Sequence, residues 1–209
     1  NLPMLEQQGE VLLEAGDWSL AKNVYKAILN SGEKTALAHY GLAVCAEHEG
    51  KIDGAIRHYE ESIAYQPTRV SYQGLASLLM RSGRDLYAAE VLERAVNVRD
   101  IGDSLRFEFH KAAGNCYSRL LKTYESERHY KRAMALRPDA DEIQSNLASL
   151  YLNSGRLDDA LRASQDALAS NPKNSTALFV LGLCEQRMNE KEKALAHFIE
   201  SLRVQIRNA

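Results

Sequence analysis

Histidine and cysteine are the side chains of this sequence best suited to bind a metal or to act as a nucleophile. Neither occurs in a pattern that such chemistry uses. The chain has no His-Glu-x-x-His, no Cys-x-x-Cys and no Gly-x-x-x-x-Gly-Lys or Gly-x-Ser-x-Gly loop. The histidines are His39, His48, His58, His110, His129 and His197. We therefore expect no catalytic residue, no metal site and no cofactor in this chain.

Residues 141–174 contain one complete structural unit of the sequence. Apolar residues recur at spacings of three and four in two segments, 141–152 and 157–170, which indicates two amphipathic helices. Gly155 lies between the segments and can adopt a positive φ, and Pro172 ends the second one. The unit is a predicted helical hairpin.

The hairpin recurs along the whole chain at a spacing of about thirty-four residues. A small residue in the second helix marks each copy: Ala21, Ala55, Ala88, Ser126, Ala160 and Ala194. The turn glycine also recurs, and its equivalents are Gly16, Gly50, Gly83 and, in the last copy, Asn189. The fourth copy has Leu121 and Lys122 at this place, which predicts a tighter turn or offset helices.

Six hairpins fill the sequence and predict an all-α fold in a single solenoid domain spanning 1–209. The expected repeats are about 2–34, 35–68, 69–102, 105–140, 141–174 and 175–208. A four-residue insertion near 99–106 separates the third repeat from the fourth. Asp103 or Ser104 can cap a longer first helix that begins near Leu105. We expect this insertion to divide the solenoid into two halves of three units.

The three cysteines occupy one equivalent place in the second, fourth and sixth units. Cys45, Cys116 and Cys184 fall on the expected buried side of a first helix. At a separation of two repeats their Cα atoms lie farther apart than the roughly 7 Å limit of a disulfide. We predict that they are small buried side chains. An odd number of unpaired thiols favours a reducing compartment, so we expect a cytoplasmic protein.

The repeated pattern resembles the tetratricopeptide repeat (TPR), in which large and small residues recur at fixed offsets. Aromatic residues that match the large place of the second helix are Tyr25, Tyr59, Tyr130 and Phe198. The closing proline is matched by Pro67, Pro138 and Pro172. The resemblance covers essentially the whole chain. It implies a right-handed α-solenoid (superhelix) of six TPR hairpins whose first helices line a concave groove.

The resemblance also identifies residues that would line this groove. Carboxylate-clamp TPR domains hold the C-terminal tails of chaperones with a Lys and an Asn four residues apart on one first helix. They add an Asn on the next helix, and a Lys and an Arg on the third. Lys111, Asn115 and Asn146 match the first three places, whereas Thr176 and Val180 occupy the last two and cannot bind a carboxylate. We predict a peptide site at the three matching residues, with a ligand other than a chaperone tail.

Other side chains extend the expected groove. Ser149 belongs to the polar wall beside Asn146, and a row of basic residues follows one edge: Arg81, Arg119 and Arg187. This row is either an ordinary solvated edge or a surface that attracts an acidic segment. Apolar residues that either pack against neighbouring helices or form pockets for a partner are Tyr40, Val44, Phe179 and Leu183.

Composition excludes several classes of partner. A net charge of −2 is unlike that of nucleic-acid-binding proteins, which usually carry a basic surface. No window of about eighteen uncharged apolar residues occurs, so we predict no membrane insertion. The sequence begins with Asn1-Leu2-Pro3 and not with Met, and we expect that it is a segment of a longer protein.

These observations predict a non-enzymatic protein-interaction module. It would bind an extended peptide, of acidic character, or a partner helix in the groove and act as an adaptor or scaffold in a multiprotein assembly. One alternative is a structural scaffold of secretion, pilus or ciliary machinery that uses its convex face and apolar C-terminal end. Another is the substrate-recruiting arm of a larger enzyme such as a glycosyltransferase. The apolar residues of the last helix also predict a homodimer through that helix.

Overall fold

The computed structural model describes residues 2–32, 35–99 and 101–207, and the described residues form helices without strands. The first six helices are α1 (Leu2–Glu14), α2 (Trp18–Asn30), α3 (Ala36–His48), α4 (Ile52–Tyr65), α5 (Arg69–Arg81) and α6 (Asp85–Ala95). The next six are α7 (Gly102–Arg119), α8 (Thr123–Leu136), α9 (Asp141–Asn153), α10 (Leu157–Ser170), α11 (Ser175–Arg187) and α12 (Lys191–Arg207). The predicted all-α solenoid is confirmed. Over these ranges no helix combines the length and the apolar character needed to span a bilayer.

The chain divides into two compact units, unit 1 (Asn1–Ile101) and unit 2 (Gly102–Ala209). Within each unit, every helix packs against the helices that precede and follow it in sequence. One hydrophobic cluster in unit 1 contains Ala21, Tyr25, Ile28, Ala38, Leu42 and Cys45. A cluster in unit 2 is built around Phe107, Tyr130, Ile143, Leu147 and Cys184. The single domain over 1–209 stays a prediction.

Large aromatic rings of second helices pack where a first helix has a glycine. A Cβ atom added to Gly114 of α7 would lie 2.5 Å from a carbon of the Tyr130 ring on α8. Real Cβ atoms do not approach so closely, so the glycine allows the two helices to pack around the ring. The same contact joins Gly9 to Tyr25 and Gly182 to Phe198. This pairing of a large and a small residue fixes the spacing of the hairpins.

The turn of the fourth hairpin differs from the prediction. Leu121 has a φ of 58°, close to the 78° of Gly155, so a leucine adopts the left-handed conformation used by the glycine. Lys122 N–H donates to the Tyr117 carbonyl at 2.9 Å, as Arg156 N–H donates to the Tyr151 carbonyl at 2.8 Å. The expectation of a tighter turn or offset helices was wrong, because Leu121 tolerates a strained φ. Asn189 takes the same conformation with φ 66°, as predicted.

Helix α7 is longer than its counterparts, as predicted, with 18 residues against 13 in α9. It begins at Gly102, ahead of the predicted start near Leu105. The predicted cap was therefore wrong. Asp103 lies inside the first turn, where its carboxylate pairs with Arg106 at 2.7 Å. An acidic residue in the first turn of a helix interacts favourably with the helix dipole.

Cysteines and histidines at equivalent places are part of the packing. Cys45, Cys116 and Cys184 are buried, as predicted. The buried His110 of α7 has its Nδ1 atom 3.1 Å from Nδ1 of His129 on α8. Burial, together with the neighbouring His129 and Arg132, lowers the pKa of His110 to about 4. The ring is therefore neutral near pH 7 in the folded protein.

Replacing Gly114 with alanine is expected to lower the free energy of unfolding by about 1–2 kcal/mol, because the new methyl overlaps the buried Tyr130 ring. Gly54→Ala in α4 is the control, since a Cβ there meets only an ordinary contact of 3.7 Å. This control should stabilise the protein by about 0.5–1 kcal/mol through helix propensity. Urea unfolding measures the free energy of unfolding of both variants. Equal changes in the two variants would contradict the packing role of Gly114.

Acidification is expected to destabilise the protein through His110. The unfolded residue titrates near its ordinary pKa of 6.5 and the folded one near 4, so the unfolded state binds the proton more readily. The stabilisation that comes from keeping His110 neutral in the folded state is present above about pH 7 and decreases as the pH falls towards 4. Between about pH 7 and pH 5 the loss should be about 1–2 kcal/mol.

Urea midpoints measured across this pH range test the assignment. The His110→Asn variant should lose most of the pH dependence. His48→Gln, in which an exposed histidine is replaced, should retain it. An unchanged pH dependence in His110→Asn would show that another group is responsible.

Candidate functional site

Two asparagines on neighbouring first helices form the centre of the candidate site in unit 2. Asn146 of α9 donates through Nδ2 to Oδ1 of Asn115 on α7 at 3.2 Å. The same oxygen accepts a hydrogen bond from the hydroxyl of Tyr130 at 2.7 Å. Tyr130 is buried, and burial raises its pKa to about 12, so the hydroxyl keeps its proton and acts as donor. The buried tyrosine thus holds the amide pair in place, and the structure brings Asn115 and Asn146 together.

Lys111 lies one turn before Asn115 and is held by two carboxylates. Its Nζ atom is 2.7 Å from Glu108 and 3.2 Å from Glu142. Partial burial acts to lower the pKa of Lys111, but the hydrogen bonds to both glutamates outweigh it and the pKa is raised. Glu108 also binds Arg137 at 2.8 Å, and these cations lower its pKa although burial acts in the opposite direction. Lys111, the predicted peptide-binding lysine, is therefore protonated, and carboxylates of the protein itself balance its positive charge.

The remaining predicted polar residues make local contacts. Ser149 Oγ donates to the backbone carbonyl of Ser145 at 3.1 Å, in its own helix. Arg187 Nη1 donates to the Leu152 carbonyl at 3.2 Å and so links α11 to α9. Arg119 is exposed at the end of α7, and its guanidinium lies 3.5 Å from Cys116 Sγ. These residues do not converge on the amide pair in the way a single compact site would require.

In unit 1 the predicted basic residue Arg81 forms part of a three-residue contact. Arg81 of α5 pairs with Oε1 of Glu47 on α3. The hydroxyl of Tyr59 donates to Oε2 of the same glutamate at 3.0 Å. Burial and the Glu47 charge raise the pKa of Tyr59, so it remains a donor. A carboxylate thus joins a tyrosine hydroxyl to an arginine from another helix.

The predicted apolar pocket residues differ in exposure. Phe179 of α11 is 49% exposed, although its ring lies 5.6 Å from the Phe198 ring. Leu183 is partly buried against the core of unit 2. In unit 1, Tyr40 is half-buried with its ring 6.0 Å from that of Tyr59, and Val44 is half-buried one turn further along α3. Phe179 is the most accessible of the four.

Two features of the site were not predicted. The first is the reach of the tyrosine hydroxyls from second helices to the polar face of first helices. The recurrence of tyrosine at the large place, at Tyr25, Tyr59 and Tyr130, was a usable signal. The second is the neutralisation of the basic residues by Glu47, Glu108 and Glu142. Charge content alone carries no signal for such pairing, because it depends on which helices become neighbours.

The arrangement is suited to hydrogen bonding and to electrostatic contact. Across the described ranges, no three histidine, cysteine, aspartate or glutamate side chains converge in the manner of metal ligands. Tyr130 and Asn146 use both acceptor sites of Asn115 Oδ1, so Asn115 keeps its amide donors, whereas Asn146 keeps one donor and its acceptor oxygen. The main chain of an extended peptide presents complementary groups.

Comparison with known proteins places this architecture in a family. The tetratricopeptide repeat family model matches residues 7–70, 112–167 and 145–203. The chain is 25% identical over 178 residues to U-box domain-containing protein 70 of Oryza sativa subsp. japonica, an alignment that covers 85% of this chain. It spans only 20% of that relative's length.

Solved structures share the fold. A crystal structure of MamA is 20% identical with a TM-score of 0.69, covering 80% of this chain and 96% of MamA. YrrB, described as a TPR protein with an unusual peptide-binding site, is 16% identical with a TM-score of 0.66, covering 87% and 92%. Pseudomonas aeruginosa PilF is 16% identical with a TM-score of 0.66, covering 97% and 91%. With helical hairpins throughout and a family model that matches most of its length, the chain belongs to the tetratricopeptide repeat family.

Proposed function

We propose that the chain is a non-enzymatic interaction module that binds an extended peptide or a partner helix along its first helices, as an adaptor or scaffold in a protein assembly. The TPR fold typically mediates protein–protein interaction, and the similar YrrB is described as having a peptide-binding site. The observation that carries the proposal is the pair formed by Asn115 and Asn146, anchored by Tyr130.

A preorganised amide pair favours binding because its orientation is set before the ligand arrives. Tyr130 and Asn146 both use the carbonyl oxygen of Asn115, so the amide plane has little freedom to rotate. Little side-chain entropy is then lost when a peptide amide binds. The remaining donors and acceptors of the pair are available to peptide backbone groups, which any sequence provides.

An acidic side chain of the ligand would bind Lys111 by displacing one of the two glutamates that hold it. Glu142, whose side chain is 49% exposed, makes the longer of the two contacts to Lys111 and is the carboxylate more easily replaced. Exposed ion pairs contribute little stability, so exchanging one carboxylate for another costs little. Arg119 and Arg187 would add attraction at longer range, which salt weakens. The preference for acidic ligands is therefore expected to be modest.

A triple variant tests the amide site. Lys111→Ala, Asn115→Ala and Asn146→Ala together should weaken binding to a synthetic array of extended peptides at least about 10-fold, because the hydrogen-bonding groups are lost. The matched control carries Lys193→Ala, Gln165→Ala and Gln205→Ala, three exposed positions on second helices.

Circular dichroism must show equal helix content in the wild type and both variants. The control should bind the same peptides as the wild type. If the triple variant and the control bind equally well, the first helices of unit 2 are not the binding surface.

A second candidate function, assembly through the last helix, is favoured by exposed side chains on α12. Leu195 is 59% exposed and Leu202 is 58% exposed. Their equivalents in α4, Ile56 and Ile63, are buried at 6% and 3% because α5 packs over them. An apolar stripe of this kind is a candidate contact surface for a second copy.

Light scattering tests self-association through α12. The wild-type chain should show a mass above that of a monomer that increases with concentration. A Leu195→Glu and Leu202→Glu variant should remain monomeric, because charges are placed in the apolar contact. A monomeric wild type at all concentrations would contradict the proposed contact.

A further inference from the structure

The first-helix face of unit 1 contains carboxylates without a counter-charge. Helix α1 has three glutamates, Glu6, Glu10 and Glu14, and no basic residue. Among the described residues, neither Glu6 nor Glu10 forms an ion pair, whereas Lys111 and Glu108 on the corresponding face of unit 2 are paired. Glu6 and Glu10 are separated by one turn and repel each other, and a bound cation relieves that repulsion.

A buried hydroxyl beside these carboxylates is also unpaired. Tyr25 of α2 is fully buried, and its ring lies against Gly9 of α1 and Gly41 of α3. Its hydroxyl has no hydrogen-bond partner among the residues that the structure describes. A Cβ added to Gly9 would lie 2.9 Å from the hydroxyl oxygen, so the phenol reaches the part of α1 that carries Glu10. After burial itself, the Glu10 charge contributes most to raising the pKa of Tyr25. A buried hydroxyl without a partner costs free energy that a suitably placed acceptor recovers.

Two contacts elsewhere in the protein show that a glutamate bound by a tyrosine hydroxyl can also bind an arginine. Tyr59 donates to Glu47, whose second oxygen binds Arg81. In unit 2, Tyr151 donates to Glu127 Oε1 at 2.9 Å, and Arg156 binds Oε2 of this glutamate at 2.7 Å. In both cases a tyrosine hydroxyl and an arginine share one carboxylate, with Arg81 on another helix and Arg156 at the N-cap of α10.

We propose that the first-helix face of unit 1 binds an arginine side chain of a partner peptide. In the complex the guanidinium pairs with Glu10 and is attracted by Glu6, and a change of the Glu10 rotamer brings its carboxylate to the Tyr25 hydroxyl, which has no partner without the ligand and then donates to it. The chemistry is that of the Tyr59–Glu47–Arg81 contact with the arginine supplied by the ligand. The spacing of Tyr25 and Glu10 is instead that of Tyr130 and Asn115, which are hydrogen-bonded in unit 2. Guanidinium suits this role because its planar donors match a carboxylate and because it is weakly hydrated.

Apolar neighbours of the arginine would bind on α3. Leu37, Tyr40 and Val44 are half-buried along one side of this helix. In an extended peptide, adjacent side chains point to opposite sides, so an arginine on one side places the residues before and after it on the other. The preferred ligand is therefore an extended segment in which arginine alternates with apolar residues. This inference rests on the proposed function, since it assigns a ligand class to the same kind of surface.

Fluorescence anisotropy with three labelled peptides tests the proposal. The peptides alternate valine with arginine, with glutamine or with glutamate, and have blocked ends. The wild-type chain should bind the arginine peptide about 10-fold more tightly than the glutamine peptide, and the glutamate peptide most weakly at this face. Added salt should weaken binding of the arginine peptide. Equal binding of the arginine and glutamine peptides would overturn the proposal.

Variants separate the roles of Glu10 and Tyr25. Glu10→Gln should weaken binding of the arginine peptide about 5- to 10-fold, and Tyr25→Phe about 3-fold. Because Tyr25 acts through Glu10, the double variant should bind no more weakly than Glu10→Gln alone. Tyr25→Phe should not lower the urea midpoint, since it removes an unpaired hydroxyl. The matched charge control is Glu90→Gln on α6, which should bind as the wild type does.

The outcomes distinguish this inference from the proposed function. If the arginine peptide binds but only the unit 2 triple variant weakens it, the inference fails and peptide binding by first helices stands. If Glu10→Gln weakens binding while the unit 2 triple variant has no effect on any peptide, the inference stands and the amide site fails. Additive effects of Glu10→Gln and Tyr25→Phe would overturn the role assigned to the tyrosine.

Discussion

The structure depends on the contact between a large ring on a second helix and a glycine on a first helix, which α2, α4, α8 and α12 all make. Tyr130 fills the space that a Cβ at Gly114 would occupy, and Tyr25 does the same at Gly9. A buried ring and a missing Cβ set the distance between two helices more tightly than aliphatic packing does, because the ring is rigid. Repetition of the contact generates the solenoid.

The same contact connects packing to binding. The ring that fills the core ends in a hydroxyl, and its position carries that hydroxyl to the polar face of the first helices. Tyr130 thereby orients Asn115, and Tyr59 orients Glu47. Core residues of one helix thus determine the direction of polar groups on another. A change in the ring is expected to alter binding without any contact between the ring and a ligand.

The sequence was sufficient for the fold because periodicity and small residues recur in register. The resemblance to carboxylate-clamp TPR domains selected both Asn115 and Asn146, which are hydrogen-bonded to each other in the structure. The turn at Leu121 could not be predicted, because leucine rarely adopts a positive φ. Here the surrounding packing holds it in that conformation. The pairing of Lys111 with Glu108 and Glu142 could not be predicted either, since it depends on side-chain rotamers across two helices.

The central claim is that ligands bind along first helices, and nuclear magnetic resonance tests it most directly. The isotope-labelled chain would be titrated with the alternating arginine peptide and with the array peptide that binds best. The account predicts backbone amide shift changes concentrated in α1 and α3 for the first peptide and in α7 and α9 for the second. Shift changes concentrated in second helices, or in α12 alone, would contradict it.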